Sequence, residues 1–163
     1  MWETLAVIFW LALCAWQDLR RRRVDNLLTL GACGIALAWL PLTGHSLLGH
    51  GLGAALVAGL LGLALTLPGY LLGKLGAADA KLAPALGLAS EPFTLLYSLA
   101  LACLVTVVLM LAARPLAATP GLPPGLARQL SALAPQRGKS FPFLFALFVG
   151  FLLQLLFISN PTG

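Results

Sequence analysis

Apolar residues run almost unbroken through five stretches of this chain, near 2–18, 27–43, 52–73, 93–113 and 140–158. Each approaches the roughly 20 residues that a helix needs to cross a hydrocarbon core. The bases gather between them: Arg20, Arg21, Arg22 and Arg23, then Lys74 and Lys81, then Arg114, Arg128, Arg137 and Lys139. If the side bearing Arg20 is cytoplasmic, two crossings return the chain to that side at Lys74 and Lys81. Arg114 reaches the same side only if two further crossings lie between 82 and 113. Ser90-Glu91-Pro92 interrupts that interval, and a proline after polar residues marks a turn. Charge parity therefore predicts a sixth span near 75–90, whose own hydropathy is marginal. The expectation is an all-α polytopic membrane protein of about six transmembrane helices, one domain over 1–163, with both termini outside. All ten bases then share one face, and Glu3, Glu91, His45 and His50 share the other.

The short span fixes the depth of one acid. Residues 82–90 alone make a helix of only about 14 Å, less than half of a core of about 30 Å. The helix must begin well before Lys81, which places Asp79 about a turn inside it, near the cytoplasmic boundary. Asp18, closing the first run, lies near the same boundary. An ionisable group at such a depth is costly unless paired or wetted. The longest connection, about 115–139, contains Pro120-Gly121-Leu122-Pro123-Pro124-Gly125, which breaks any continuous helix. Beyond it Leu126, Leu130 and Leu133 recur at helical spacing, fitting either a short surface helix or a polar loop. Glycines at Gly31 and Gly34, Gly59 and Gly62, and Gly69 and Gly73 suit close helix contact.

Composition agrees with lipid as the main solvent: 60% of the 163 residues are hydrophobic and 9% are charged, against roughly a quarter in a soluble domain. The net charge of +5 is scattered between apolar stretches without a stripe of stacking aromatics, so a nucleic-acid partner is not expected. Cys14, Cys33 and Cys103 are distant and embedded in apolar runs, which points to neither a disulfide framework nor a zinc site. Because Arg20 to Arg23 follow the first apolar run rather than precede it, that run reads as a retained span, not a cleaved signal peptide.

Five carboxylates exist, so each can be weighed. Glu3 and Glu91 sit at the outer boundary as solvated interfacial residues. Asp18 opens Asp18-Leu19-Arg20-Arg21-Arg22-Arg23-Val24-Asp25-Asn26, and Asp79 sits in Gly76-Ala77-Ala78-Asp79-Ala80-Lys81-Leu82. On one account each pairs with a nearby base, Asp18 with Arg22 and Asp79 with Lys81. On the other the two form a carboxylate dyad, in which mutual repulsion and partial desolvation leave one proton shared. One acid then activates water while the other protonates the scissile carbonyl or leaving amine, with no metal, cofactor or covalent nucleophile required. A serine nucleophile lacks a base, since His45 and His50 lie on the outer face and Ser140 has only Lys139 beside it. Those two histidines lack a third ligand and i,i+4 alignment, so a wet loop is favoured over a metal site.

The run Trp16-Gln17-Asp18-Leu19-Arg20 to Val24-Asp25-Asn26 resembles the first acidic motif of type IV prepilin peptidases, the GxGD-type intramembrane aspartic proteases: an Asp ending a helix, a basic stretch, then Pro-Asn. Gly76-Ala77-Ala78-Asp79-Ala80-Lys81-Leu82 resembles the second, Gly-x-Gly-Asp-x-Lys-Leu, and Gly138-Lys139-Ser140-Phe141-Pro142-Phe143 resembles the entry to the last helix. Asp25 stands where the family has Pro, and Ala78 where it has the second Gly. The resemblance implies that Asp18 and Asp79 cleave type IV prepilin precursors after the Gly ending a short basic leader, on the cytoplasmic side of a bacterial inner membrane. Longer members carry a methyltransferase region with Cys-x-x-Cys pairs; these are absent here, so methylation is not expected. The compact size resembles members serving tight-adherence (Flp) pili. Arg20 to Arg23 would repel a basic leader and instead fix topology and meet anionic lipid. Lys81 either binds an acidic residue of the precursor, tunes Asp79, or snorkels at the interface.

Two other classes fit parts of the pattern. Lipoprotein signal peptidases are also small and use two Asp, but their acids lie toward the outer face. A small proton-coupled transporter or non-enzymatic assembly subunit would use an intramembrane acid without needing a peptide.

Overall fold

The computed structural model describes residues 2–21, 24–73, 75–117 and 143–157, with the side chains of 113–117 left aside. Within them lie six helices, α1 Trp2–Arg21, α2 Asn26–Thr43, α3 Leu52–Leu71, α4 Ala77–Ala89, α5 Pro92–Ala117 and α6 Phe143–Phe157. The only β-type pairing among these residues is an isolated bridge between His45 and Gly51. Local chemistry explains the boundaries. Gly44, at φ +76°, closes α2 in the left-handed conformation glycine adopts freely, and its N–H returns to Leu40. Ser90-Glu91-Pro92 is the turn expected there: α4 ends at Ala89, and Pro92 takes the first position of α5, where its missing N–H costs nothing.

Three helices, Asn26–Thr43, Leu52–Leu71 and Pro92–Ala112, are long and apolar enough to cross a membrane. Leu30, Ile35, Leu60, Leu65, Leu104 and Val108 on these helices are all exposed, more apolar surface than water tolerates and as expected against lipid. The chain is an all-helical membrane protein. The six expected crossings are not all matched by length and composition. Helix α1 carries Glu3, Asp18, Arg20 and Arg21, α6 has 15 residues, and α4 has 13 and would reach only about 20 Å.

Helix α4 is short because protein surrounds it. Residues 79, 80, 82, 83 and 85–89 are buried, and Leu82 and Leu86 share a core with Val7, Leu11 and Cys14 of α1 and Leu147 and Phe151 of α6. The close neighbour is α3. A Cβ on Gly62 would lie 2.8 Å from the Ala83 carbonyl oxygen, and one on Gly59 2.8 Å from Leu88, so these glycines let the two backbones touch. Gly150 does the same for α6 against Ser98 and Ala102 of α5. Gly31 and Gly34 do not: nothing lies within 4 Å of a Cβ on Gly34, and the same spacing there faces open space. The expected surface helix at Leu126, Leu130 and Leu133 lies outside the described residues, as do Arg22, Arg23, Lys74 and Ser140.

Candidate functional site

Asp18 occupies the last turn of α1, where a carboxylate opposes the helix dipole and contributes nothing to helix stability. It is nonetheless buried, at 9% exposure. Its Oδ2 accepts the N–H of Leu144, 3.2 Å away in the first turn of α6, one of the N-terminal donors a helix leaves unsatisfied. Asp79 is the third residue of α4, and its Oδ2 accepts the N–H of Gly76, the N-cap, at 3.1 Å. Capping explains an acid at that position, but an exposed cap would serve equally well, and Asp79 is 7% exposed. The two acids come from different helices at the same end of the bundle, close enough that the charge of Asp18 bears on Asp79.

The expected pairing of Asp79 with Lys81 is not the one formed. Lys81 turns away from Asp79, and its Nζ donates to Asn26 Oδ1 at 2.8 Å. The two acidic motifs, distant in sequence, are thereby joined by a hydrogen bond across α2 and α4. Arg20 stacks over the Trp16 ring, 4.4 Å from its centroid. Arg22, offered as the partner of Asp18, lies outside the described residues.

Asp25 is exposed, unlike the two buried acids. Gln17 Nε2 donates to its Oδ2 at 3.2 Å, and its own N–H donates to Gln17 Oε1 at 3.1 Å. Its φ of −62° is the angle a proline ring imposes, so Asp25 holds the N-cap of α2 in the shape that Pro would supply. Ala78 packs against the edge of the core.

At the opposite end, His50 Nδ1 meets Glu91 Oε2 at 3.3 Å. His45 bridges to Gly51 instead and does not join that pair. Gln17 and Asn26 lie within the first motif, but neither the reciprocal bonding of Gln17 with Asp25 nor the bond from Lys81 to Asn26 can be read from spacing. Gln154 had a legible signal, as the one polar residue in α6.

Buried carboxylates held by main-chain donors are groups of the kind that can act on water as general base and general acid. A sequence model described as the type IV leader peptidase family matches residues 5–111, a stretch that contains Asp18, Asp25, Asn26, Asp79 and Lys81. No curated protein and no solved structure matches the chain.

Proposed function

The chain belongs to the type IV leader peptidase family and is thereby a protease, and from that premise we propose that it is an aspartic endopeptidase working through Asp18 and Asp79. Its substrates are type IV prepilins, Flp-type precursors among them, each with a short basic leader and an apolar helix that stays in the bilayer. In this reading the chain crosses the membrane six times with both termini outside, and the pair lies at the cytoplasmic rim of a bacterial inner membrane. One carboxylate takes a proton from water as its oxygen attacks the scissile carbonyl, while the other, protonated, gives its proton to the carbonyl oxygen. Collapse of the tetrahedral intermediate passes a proton to the leaving amine, which becomes the new pilin N-terminus. Lys81, fixed on Asn26, stands at the rim where an acidic residue of the precursor would arrive.

What supports this reading is that two buried acids, on α1 and α4, each have an oxygen oriented by a main-chain N–H, and that the charge of Asp18 bears on Asp79. The test is cleavage of a prepilin precursor in detergent. Asp18→Asn and Asp79→Asn should each lower the rate by about 10²-fold to 10⁴-fold, the usual contribution of a positioned acid or base, while expression and membrane insertion are unchanged. Asp25→Asn should cost little. Full activity in either buried-acid variant would refute the pair, and a total loss in Asp25→Asn would transfer the role to that residue.

A further inference from the structure

A cleft of about 370 Å³ opens at the end of the bundle remote from Asp18 and Asp79. Its polar wall combines Thr4 of α1, His50 of the α2–α3 loop, Glu91 of the α4–α5 turn, Thr94 and Tyr97 of α5, and Gln154 of α6. None of these has a part in the hydrolytic chemistry. The loop is fixed rather than loosely apposed: Leu48 N–H donates to Ala89 O at 3.0 Å, and His50 N–H to Ser46 Oγ at 3.1 Å.

Gln154 is the informative member. It lines the cleft at 5% exposure, and its Oε1 has no hydrogen-bond partner among the described residues. A buried amide oxygen without a donor is a destabilising feature that natural helices avoid unless something supplies the donor. An apolar residue at this position in an otherwise apolar helix would remove the cost. Around it the wall offers mainly acceptors. Glu91 presents a carboxylate of which Oε2 faces His50, and the hydroxyls of Thr4, Thr94 and Tyr97 accept as readily as they donate. The described lining contains neither Lys nor Arg, and its one basic side chain, His50, already faces Glu91. The remaining wall, Leu48, Phe93 and Leu155, is apolar.

A carboxylate, an orphaned acceptor and accepting hydroxyls beside an apolar wall match a cation with several N–H donors carried on an apolar body. We propose that this cleft binds a primary ammonium group, with Glu91 and Gln154 as its principal acceptors. A quaternary ammonium has the charge but no N–H for Gln154 Oε1, and this difference makes the site testable. The group can arrive as the headgroup of phosphatidylethanolamine or as a free alkylamine.

The test uses the full chain in phosphatidylglycerol nanodiscs containing equal amounts of phosphatidylethanolamine and phosphatidylcholine, with lipid retention read by native mass spectrometry. Phosphatidylethanolamine should be retained over phosphatidylcholine by roughly tenfold or more, equivalent to about 1.4 kcal/mol. Glu91→Gln and Gln154→Leu should each bring that ratio toward one. If Gln154→Leu does not fold, Glu91→Gln alone decides. Displacement of the lipid by millimolar ethylamine assigns the site to the ammonium alone, and resistance to ethylamine assigns it to the lipid headgroup. Equal retention of both lipids, or a preference that survives both substitutions, overturns the proposal. Equal retention together with a more stable Gln154→Leu leaves an ordered water as the occupant and overturns it as well.

Discussion

Replacing Gly87 by Ala tests whether the contact between α3 and α4 positions Asp79. A Cβ at residue 87 would lie 2.6 Å from the carbonyl carbon of Ala58 and 2.8 Å from the nitrogen of Gly59. Both are backbone atoms, so no rotamer change relieves the overlap. The Ala58 carbonyl oxygen is nearer still, so the helices must separate by at least about 0.8 Å, the step from 2.6 Å to the 3.4 Å of ordinary van der Waals contact. Overpacking of this kind costs about 1–3 kcal/mol. Alanine also gains about 1 kcal/mol in helix propensity over glycine, so the informative quantity is the difference from Gly34→Ala. That variant takes the same gain and meets nothing within 4 Å. Thermal or denaturant unfolding in detergent should place Gly87→Ala about 1–3 kcal/mol below Gly34→Ala. Asp79 lies two turns away along α4, about 12 Å. A helix pushed sideways carries its carboxyl out of register with Asp18, and a misplacement of about 1 Å costs on the order of 10²-fold in rate. Precursor cleavage by Gly87→Ala should therefore fall by about 10-fold to 10²-fold, while Gly34→Ala cleaves as the parent does. A Gly87→Ala protein as stable and as active as Gly34→Ala would refute the claim that backbone contact at Ala58 sets the position of α4.

Lys81→Met and Asn26→Leu, with the double variant, should show a coupling energy of about 0.5–1 kcal/mol in unfolding, small because the bond is exposed. Strictly additive effects would mean that the two motifs are not held together by that bond. Trp39→Phe should leave stability unchanged or higher: the indole Nε1 is buried without a partner among the described residues, and relieving such a donor returns about 1–3 kcal/mol, which offsets the smaller ring. A clear fall in unfolding temperature would show that the indole N–H is satisfied in the membrane.

How much could be read beforehand depended on whether a feature was local or tertiary. The break at Ser90-Glu91-Pro92 was visible because proline and its polar neighbours act on their own backbone. The existence of α4 was visible only through charge parity. A helix enclosed by other helices needs small residues for close approach, and Ala78, Ala80, Ala83, Ala85 and Ala89 give little hydropathy and no polar face. Asp18 and Asp79 stood out through scarcity and depth. What they and their neighbours bond to was not legible. Lys81 has Asp79 two residues away and instead pairs with Asn26, a choice made by the approach of α2 to α4. Gly31 with Gly34 has the same spacing as Gly59 with Gly62, yet only the second pair meets another backbone. Spacing shows that a close-contact face exists, not which neighbour lies against it.

The arrangement of the acids also explains why a chain so poor in polar residues can hold two of them inside. Asp18 sits at the wrong end of its own helix for the dipole, and the compensating donor comes from the first turn of α6, through Leu144 N–H. Asp79 takes its donor from the N-cap of its own helix. Two helix N-termini, of α4 and α6, thus converge on the pair, and one of them lies beyond the residues 5–111 matched by the family. The proposed site draws on the first, the fourth and the last described helix of the chain. Because both donors belong to the main chain, ordinary substitutions keep the N–H itself, although a Cβ at Gly76 would lie 3.0 Å from Asp79 Oδ2. Proline is the exception, since it alone removes the N–H, and at Leu144 it would leave α6 able to form while depriving Asp18 of that bond.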